Sequence, residues 1–158
     1  MDSLYTRIAE GDNRKRMADA WKKLQLHKAK RALALNAPGG DYERLIGGVP
    51  EGTIVDSEPT GENGSYDFVH LFLTSVAELE EKGPAALAAI KHDGLLWFSY
   101  PKKTSKIKTD INRDAGWKLV REAGYEAVTQ VAIDETWSAL RFRPASAIPS
   151  LTRSFTND

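Results

Sequence analysis

Short unbroken apolar runs recur along this chain, each closed by turn-forming residues. The runs cover Ala32-Leu33-Ala34-Leu35, Ile54-Val55, Phe68-Val69-His70-Leu71-Phe72-Leu73 and Leu95-Leu96-Trp97-Phe98. Runs of this length predict strands covered on both faces, because a strand with one wet face alternates apolar and polar residues. The strands are expected at about 30–35, 53–55, 66–73 and 95–100. Two more, about 125–133 and 137–143, are joined by Asp134-Glu135-Thr136, short enough for a hairpin.

Helical spacing fills the intervals. Residues 2–26 predict two helical pieces on either side of Gly11, with Ser3 capping the first and Asp12 or Asn13 the second. In the second piece Met17, Trp21 and Leu24 form one apolar stripe, suited to the core or to a dimer contact. A short helix is expected at Tyr42–Ile46, ended by Gly47-Gly48. Ser75 and Glu78 have the spacing of a capping box and open a helix that Gly83-Pro84 interrupts and that resumes to about Ile90. His92-Asp93-Gly94 turns the chain into the next strand, and Pro101 stops it. Thr109 or Asp110 caps a helix to about Ala123, with Gly124 as its stop.

Strand–helix–strand crossovers favour parallel pairing with right-handed connections, whereas the closing hairpin must be antiparallel. The expected architecture is a single α/β domain, a three-layer sandwich around a mostly parallel, Rossmann-like sheet with a C-terminal antiparallel hairpin. It carries an N-terminal helical extension over residues 1–28 and an irregular tail over 145–158. A chain of 158 residues is long enough to bury roughly 70% of its unfolded surface.

Composition narrows the function classes. There is no cysteine, so disulfides, thiolate metal sites and cysteine nucleophiles are excluded. No apolar run reaches the ~20 residues that span a bilayer, and the first residues lack the basic start and apolar core of a signal peptide; a cytoplasmic protein is expected. Formal net charge is zero but unevenly placed. Residues 1–31 hold nine basic and four acidic side chains, residues 32–97 three and eleven, and residues 98–158 ten and seven. The balanced total argues against nucleic acid as a partner. The basic leading segment suits the acidic middle of the chain or a second subunit, and the Met17, Trp21 and Leu24 stripe with the unpatterned tail motivates the alternative of a homodimer through the N-terminal helices.

Four segments, Leu35-Asn36-Ala37-Pro38, Asp67-Phe68-Val69-His70-Leu71-Phe72, Trp97-Phe98-Ser99-Tyr100-Pro101-Lys102-Lys103 and Asp134-Glu135-Thr136-Trp137-Ser138, carry a resemblance. Over about residues 20–144 the chain resembles the S-adenosylmethionine-dependent methyltransferase fold with one strand–helix unit of the first half absent. More closely, it resembles an uncharacterised bacterial family of small proteins built on that plan. The resemblance implies a methyltransferase-like sheet with S-adenosylmethionine as cofactor, its ribose held by an acid ending the second strand, here Asp56 or Glu58. The turn after the first strand departs from it. Asn36-Ala37-Pro38-Gly39-Gly40-Asp41 lacks the spaced glycines that let a cofactor approach the backbone, and Pro38 gives up an N–H.

Ligands of such sheets collect at the carboxyl ends of the strands, where the strand order reverses. That places Asn36, Pro38, Gly39, Asp56 and Glu58 on one side of the crevice and Thr74 and Ser75 on the other. Four lysines stand within Lys102–Lys108, interleaved with Thr104 and Ser105. This loop leaves the adjacent strand on the same edge and suits phosphate or carboxylate. Lys102, Lys103 and Ser105 are therefore expected at an anion site. His70, mid-strand among apolar neighbours, reads as a hydrogen-bonded core histidine, and no spacing of His, Asp and Glu suggests a metal site. The leading expectation is a methyltransferase-like domain that binds a small anionic ligand without catalysis. The alternatives are a methyltransferase with an atypical cofactor turn and a homodimeric interaction protein.

Overall fold

The structure, a computed structural model, describes residues 20–149. The expected caps Ser3, Asp12 and Asn13, residue Met17 of the apolar stripe and residues 150–158 of the tail lie outside them. The elements run α1 (Ala20–Lys23), a 3₁₀ turn (Leu26–Lys28), β1 (Arg31–Leu35), a second 3₁₀ turn (Pro38–Gly40), α2 (Tyr42–Ile46), β2 (Ile54–Asp56), β3 (Tyr66–Phe72), α3 (Val76–Ala89), β4 (Ile90–Pro101), α4 (Lys118–Glu122), β5 (Tyr125–Ala132), β6 (Trp137–Pro144) and a closing 3₁₀ turn (Ala145–Ala147).

The sheet has the order β2-β1-β3-β4-β6-β5. Strands β1 to β4 pair in parallel, and β6 is antiparallel to both β4 and β5. The C-terminal hairpin is antiparallel as expected, and its second strand, β6, is inserted between β4 and β5 rather than added at the edge. The hairpin that inserts it is tied by Asp134, whose Oδ1 accepts from the N–H groups of Thr136 and Trp137 at 2.8 Å each. Since β2 and β3 lie on opposite sides of β1, the strand order reverses at β1/β3.

Alternation sends successive side chains to two separate apolar layers. Leu33, Val69, Leu71, Leu96, Phe98 and Phe142 pack with α3 and α4. Ala34, Phe68, Phe72, Trp97 and Trp137 pack with α1, the first 3₁₀ turn and α2. Both layers are closed, so the fold is a three-layer α/β sandwich. Leu24, one of the three residues of the predicted stripe, is fully buried in its own chain's core, and its carbonyl accepts from Trp97 Nε1 at 3.1 Å.

Three local expectations need correction. Gly83-Pro84 does not interrupt α3, which continues to Ala89 with Pro84 inside. Gly83 is there for clearance. A Cβ on it would stand 3.0 Å from Leu79 Cδ1 and 3.2 Å from Leu119 Cδ2, where α3 meets α4. Second, β4 begins directly at Ile90, and His92-Asp93-Gly94 forms a bulge within it rather than a turn before it. Asp93 takes φ +54° and accepts from Arg143 Nε and Nη2 at 2.9 and 2.8 Å.

Third, the helix expected from Thr109 to Ala123 shrinks to Lys118–Glu122. Side chains there bond to backbone and compete with the helical ladder. Thr109 Oγ1 accepts from the Ile111 N–H, Asn112 Oδ1 from the Asp114 N–H, and the Asn112 carbonyl from Trp117 Nε1 at 2.7 Å. Asp110 caps a different helix, accepting from the Val76 N–H of α3 at 2.8 Å.

Candidate functional site

The carboxyl edge of the sheet carries two separate clefts with a closed seam between them. The seam is the reversal point itself. Asn36, in the left-handed conformation at φ +59°, donates Nδ2 across it to the Phe72 carbonyl at 2.9 Å and to Glu78 Oε2 at 3.1 Å. Glu78 Oε1 accepts from the Thr74 N–H at 2.7 Å and from Thr74 Oγ1. Ser75 Oγ accepts from the Glu78 N–H. Asn36, Thr74 and Ser75 are thus brought together, as the sequence predicts, but each of them bonds to Glu78, and Ser75 caps α3.

On the β2 side of the seam lies a cleft of about 280 Å³, bordered by Ala34, Asn36, Ala37, Gly40, Tyr42, Glu43, Val49, Val55, Asp56 and Ser57. Pro38 and Gly39 form the outer part of the turn and do not border it. The carboxylate of Asp56 is engaged elsewhere. Its Oδ2 accepts from the Tyr66 hydroxyl at 2.5 Å, Thr60 Oγ1 at 3.1 Å and Arg31 Nη2 at 3.5 Å. The Tyr66 bond first, then Thr60 and Arg31, hold this carboxyl below the usual range. Glu58 is exposed and lies outside the cleft. An adenosyl cofactor would need an acid free for its ribose and an open backbone turn. Asp56 Oδ2 and the Asn36 amide are engaged within the chain and Pro38 gives up an N–H, so these particular groups are not available to such a cofactor.

Beneath this cleft runs a buried polar chain. His70 is 0% exposed; its Nδ1 lies 2.7 Å from the Tyr42 hydroxyl and its Nε2 2.6 Å from Ser99 Oγ. Burial pushes the imidazole pKa down to about 3 and the Tyr42 phenol well up. Each hydroxyl satisfies one ring nitrogen, so the ring stays neutral. The core-histidine reading of the sequence holds.

On the other side of the seam, at the end of β4, is the larger cleft, about 360 Å³, bordered by Tyr100, Lys102, Lys103, Thr104, Asn112, Arg113, Asp114, Gln130 and Ser138. Pro101 ends the strand, and the Lys102 N–H bonds the Thr136 carbonyl at 2.7 Å, which directs the basic loop over the cleft. Ser105 does not border the cleft. Its Oγ donates to the Lys102 carbonyl at 2.8 Å and so shapes the loop. Arg113 supplies a third cation, partnered at the rim by Asp114 at 3.3 Å.

The floor is Tyr100, only 4% exposed, whose hydroxyl accepts from Gln130 Nε2 at 2.9 Å. Burial raises this phenol's pKa, with opposing influences from Arg113 and the facing Ser138 hydroxyl. It is protonated at neutral pH. Tyr100, Asn112, Arg113, Gln130 and Ser138 were not among the predicted site residues. The usable signal was that two of the four resemblance segments had to meet: Tyr100 pairs with Ser138 and Pro101 with Trp137 across β4/β6.

Among the described residues no group of three or more His, Asp or Glu is placed to hold a metal ion, and no helix is long and apolar enough to cross a membrane. No protein-family model matches the chain, and no curated protein does. Solved structures are similar in shape at low identity. A SAM-dependent methyltransferase from Aquifex aeolicus is 15% identical, with 89% of this chain and 98% of that one covered and a TM-score of 0.47. A SAM-dependent methyltransferase from Thermotoga maritima is 12% identical, with 87% and 97% covered and a TM-score of 0.43. A Pyrococcus horikoshii protein is 11% identical, with 82% and 90% covered and a TM-score of 0.47.

Proposed function

We propose that this chain is a ligand-binding domain that takes a small phosphate-bearing anion in the cleft at the end of β4, with Lys102 and Lys103 as anchors. The observation that carries this reading is the convergence of Lys102, Lys103 and Arg113 around one cleft of about 360 Å³. Cations at the mouth of a partly desolvated cleft form stronger, charge-assisted bonds to phosphate oxygens than neutral donors do. No group positioned there is an evident nucleophile, so the reading assigns no reaction.

Titration calorimetry with inorganic phosphate tests it. Binding to the wild type should weaken about tenfold or more in the K102A/K103A double variant, the worth of roughly one charge-assisted contact. Unchanged binding in that variant overturns the anchor assignment. Micromolar binding of S-adenosylmethionine or S-adenosylhomocysteine would overturn the non-catalytic reading and favour a methyltransferase with an atypical turn.

A further inference from the structure

We propose that the cleft at the end of β4 selects, among phosphate-bearing ligands, monoesters whose alcohol portion carries free hydroxyls, and that Tyr100 with Gln130 reads one of those hydroxyls. The inference rests on the anion-binding reading of the same cleft. It comes from the polar inventory of the floor. Tyr100 is almost wholly buried, and Gln130 Nε2 donates to its oxygen at 2.9 Å. Ser138 stands opposite Tyr100 in the β4/β6 register and borders the same cleft.

Two hydroxyls and one amide border this cleft. With Gln130 Nε2 donating to the Tyr100 oxygen, the Tyr100 proton is left as a donor and the Gln130 carbonyl as an acceptor. If the amide is turned, Tyr100 donates to the Gln130 carbonyl, the NH₂ becomes the donor and the Tyr100 oxygen the acceptor. Both amide orientations thus offer the cleft one donor beside one acceptor. The oxygens of a fully ionised phosphate monoester only accept, so they cannot use both. A hydroxyl donates and accepts, and matches the pair. The cations and the Tyr100–Gln130 pair border the same cleft, so one ligand can meet both: phosphate on the cations, hydroxylated carbon frame on the pair.

The probes are methyl phosphate, a monoester without a free alcohol hydroxyl, and ribose 5-phosphate, titrated by calorimetry against the wild type and the Y100F, Q130L and K102A/K103A variants. Ribose 5-phosphate should bind about tenfold more tightly than methyl phosphate, the worth of one or two neutral hydrogen bonds. In Y100F that advantage should fall to within about twofold while methyl phosphate binds as before, and K102A/K103A should weaken both probes. Gln130 is exposed on edge strand β5, so Q130L keeps the fold and should reproduce the Y100F result. If both floor variants keep the full ribose 5-phosphate advantage, or the wild type shows none, the hydroxyl reading is wrong while the anion site stands. If neither probe binds the wild type, both readings fall. If Y100F or Q130L, still folded, loses methyl phosphate as well, the Tyr100–Gln130 pair holds the anion itself and the proposed division is overturned.

Discussion

The buried His70 ring makes stability depend on pH in a window of its own. In the unfolded chain an imidazole takes up a proton near pH 6.5, whereas in the fold burial pushes His70 down to about 3. Below pH 6.5 the unfolded state therefore binds a proton that the native state refuses, and stability falls as pH falls. The slope is about 1.4 kcal/mol per pH unit well below 6.5, so the loss attributable to His70 reaches about 2 kcal/mol by pH 5. The carboxylates with lowered pKa, Asp56, Asp67 and Asp93, lose their contribution only as pH drops below their unfolded value of 3.8. Urea unfolding at pH 7 and pH 5 isolates the histidine. Replacing His70 by Phe leaves the Tyr42 and Ser99 hydroxyls without their ring partner and should cost about 2–4 kcal/mol at pH 7. The further loss between pH 7 and pH 5 should be smaller than in the wild type by about 2 kcal/mol. Should that variant not fold, the His70 ring resonances of the wild type should not shift between pH 7 and pH 5. A wild-type His70 that titrates near pH 6, or equal pH slopes in both proteins, refutes the argument.

Other consequences are local. Gly116 takes φ +102°, and a Cβ there would lie 3.0 Å from Ile111 Cγ1 and 3.2 Å from Val76 Cγ2. Gly116→Ala should cost about 2 kcal/mol in urea unfolding, and an unchanged midpoint would mean the loop before α4 is not held as described. Asp93→Asn keeps a residue type that tolerates φ +54° while weakening the paired bonds to Arg143. Those side chains are 31% and 28% exposed, so the loss should be about 1 kcal/mol at neutral pH. Arg143 holds the Asp93 carboxyl below its usual range, so the advantage exists above pH 3.8 and vanishes as acid protonates Asp93. Variant and wild type should then unfold alike. Asp110→Ala should cost about 1 kcal/mol by freeing the Val76 N–H of α3, read as a lower thermal midpoint.

Much of the scaffold was legible because its causes are local. The apolar runs at Ala32–Leu35 and Phe68–Leu73 can be buried only between two layers, and Asp134-Glu135-Thr136 can only reverse the chain. The short helix at Tyr42–Ile46 ends where Gly47 takes a left-handed φ of +87°, a conformation that glycine adopts without steric cost. Parallel pairing followed from the helical crossovers, and the resemblance to the methyltransferase fold placed the reversal at β1/β3.

What the sequence could not contain was the partner of each polar atom. Asp110 reads as a cap in any sequence, but whether it caps its own helix or the start of α3 depends on which backbone lies 2.8 Å away. Asp56 reads as an acid at a ligand edge until Tyr66, ten residues on, reaches its carboxylate. Asn36, Thr74 and Ser75 were placed at the crevice by topology, and only packing showed that Glu78 joins them into a closed seam. Conversely, Tyr100, Gln130 and Ser138 come from three strands and carry no spacing signal, because a site assembled across strands has no period along the chain. Residue type and order determine which groups stand at which edge of the sheet. Three-dimensional packing alone decides which of them are engaged with one another and which still face open space.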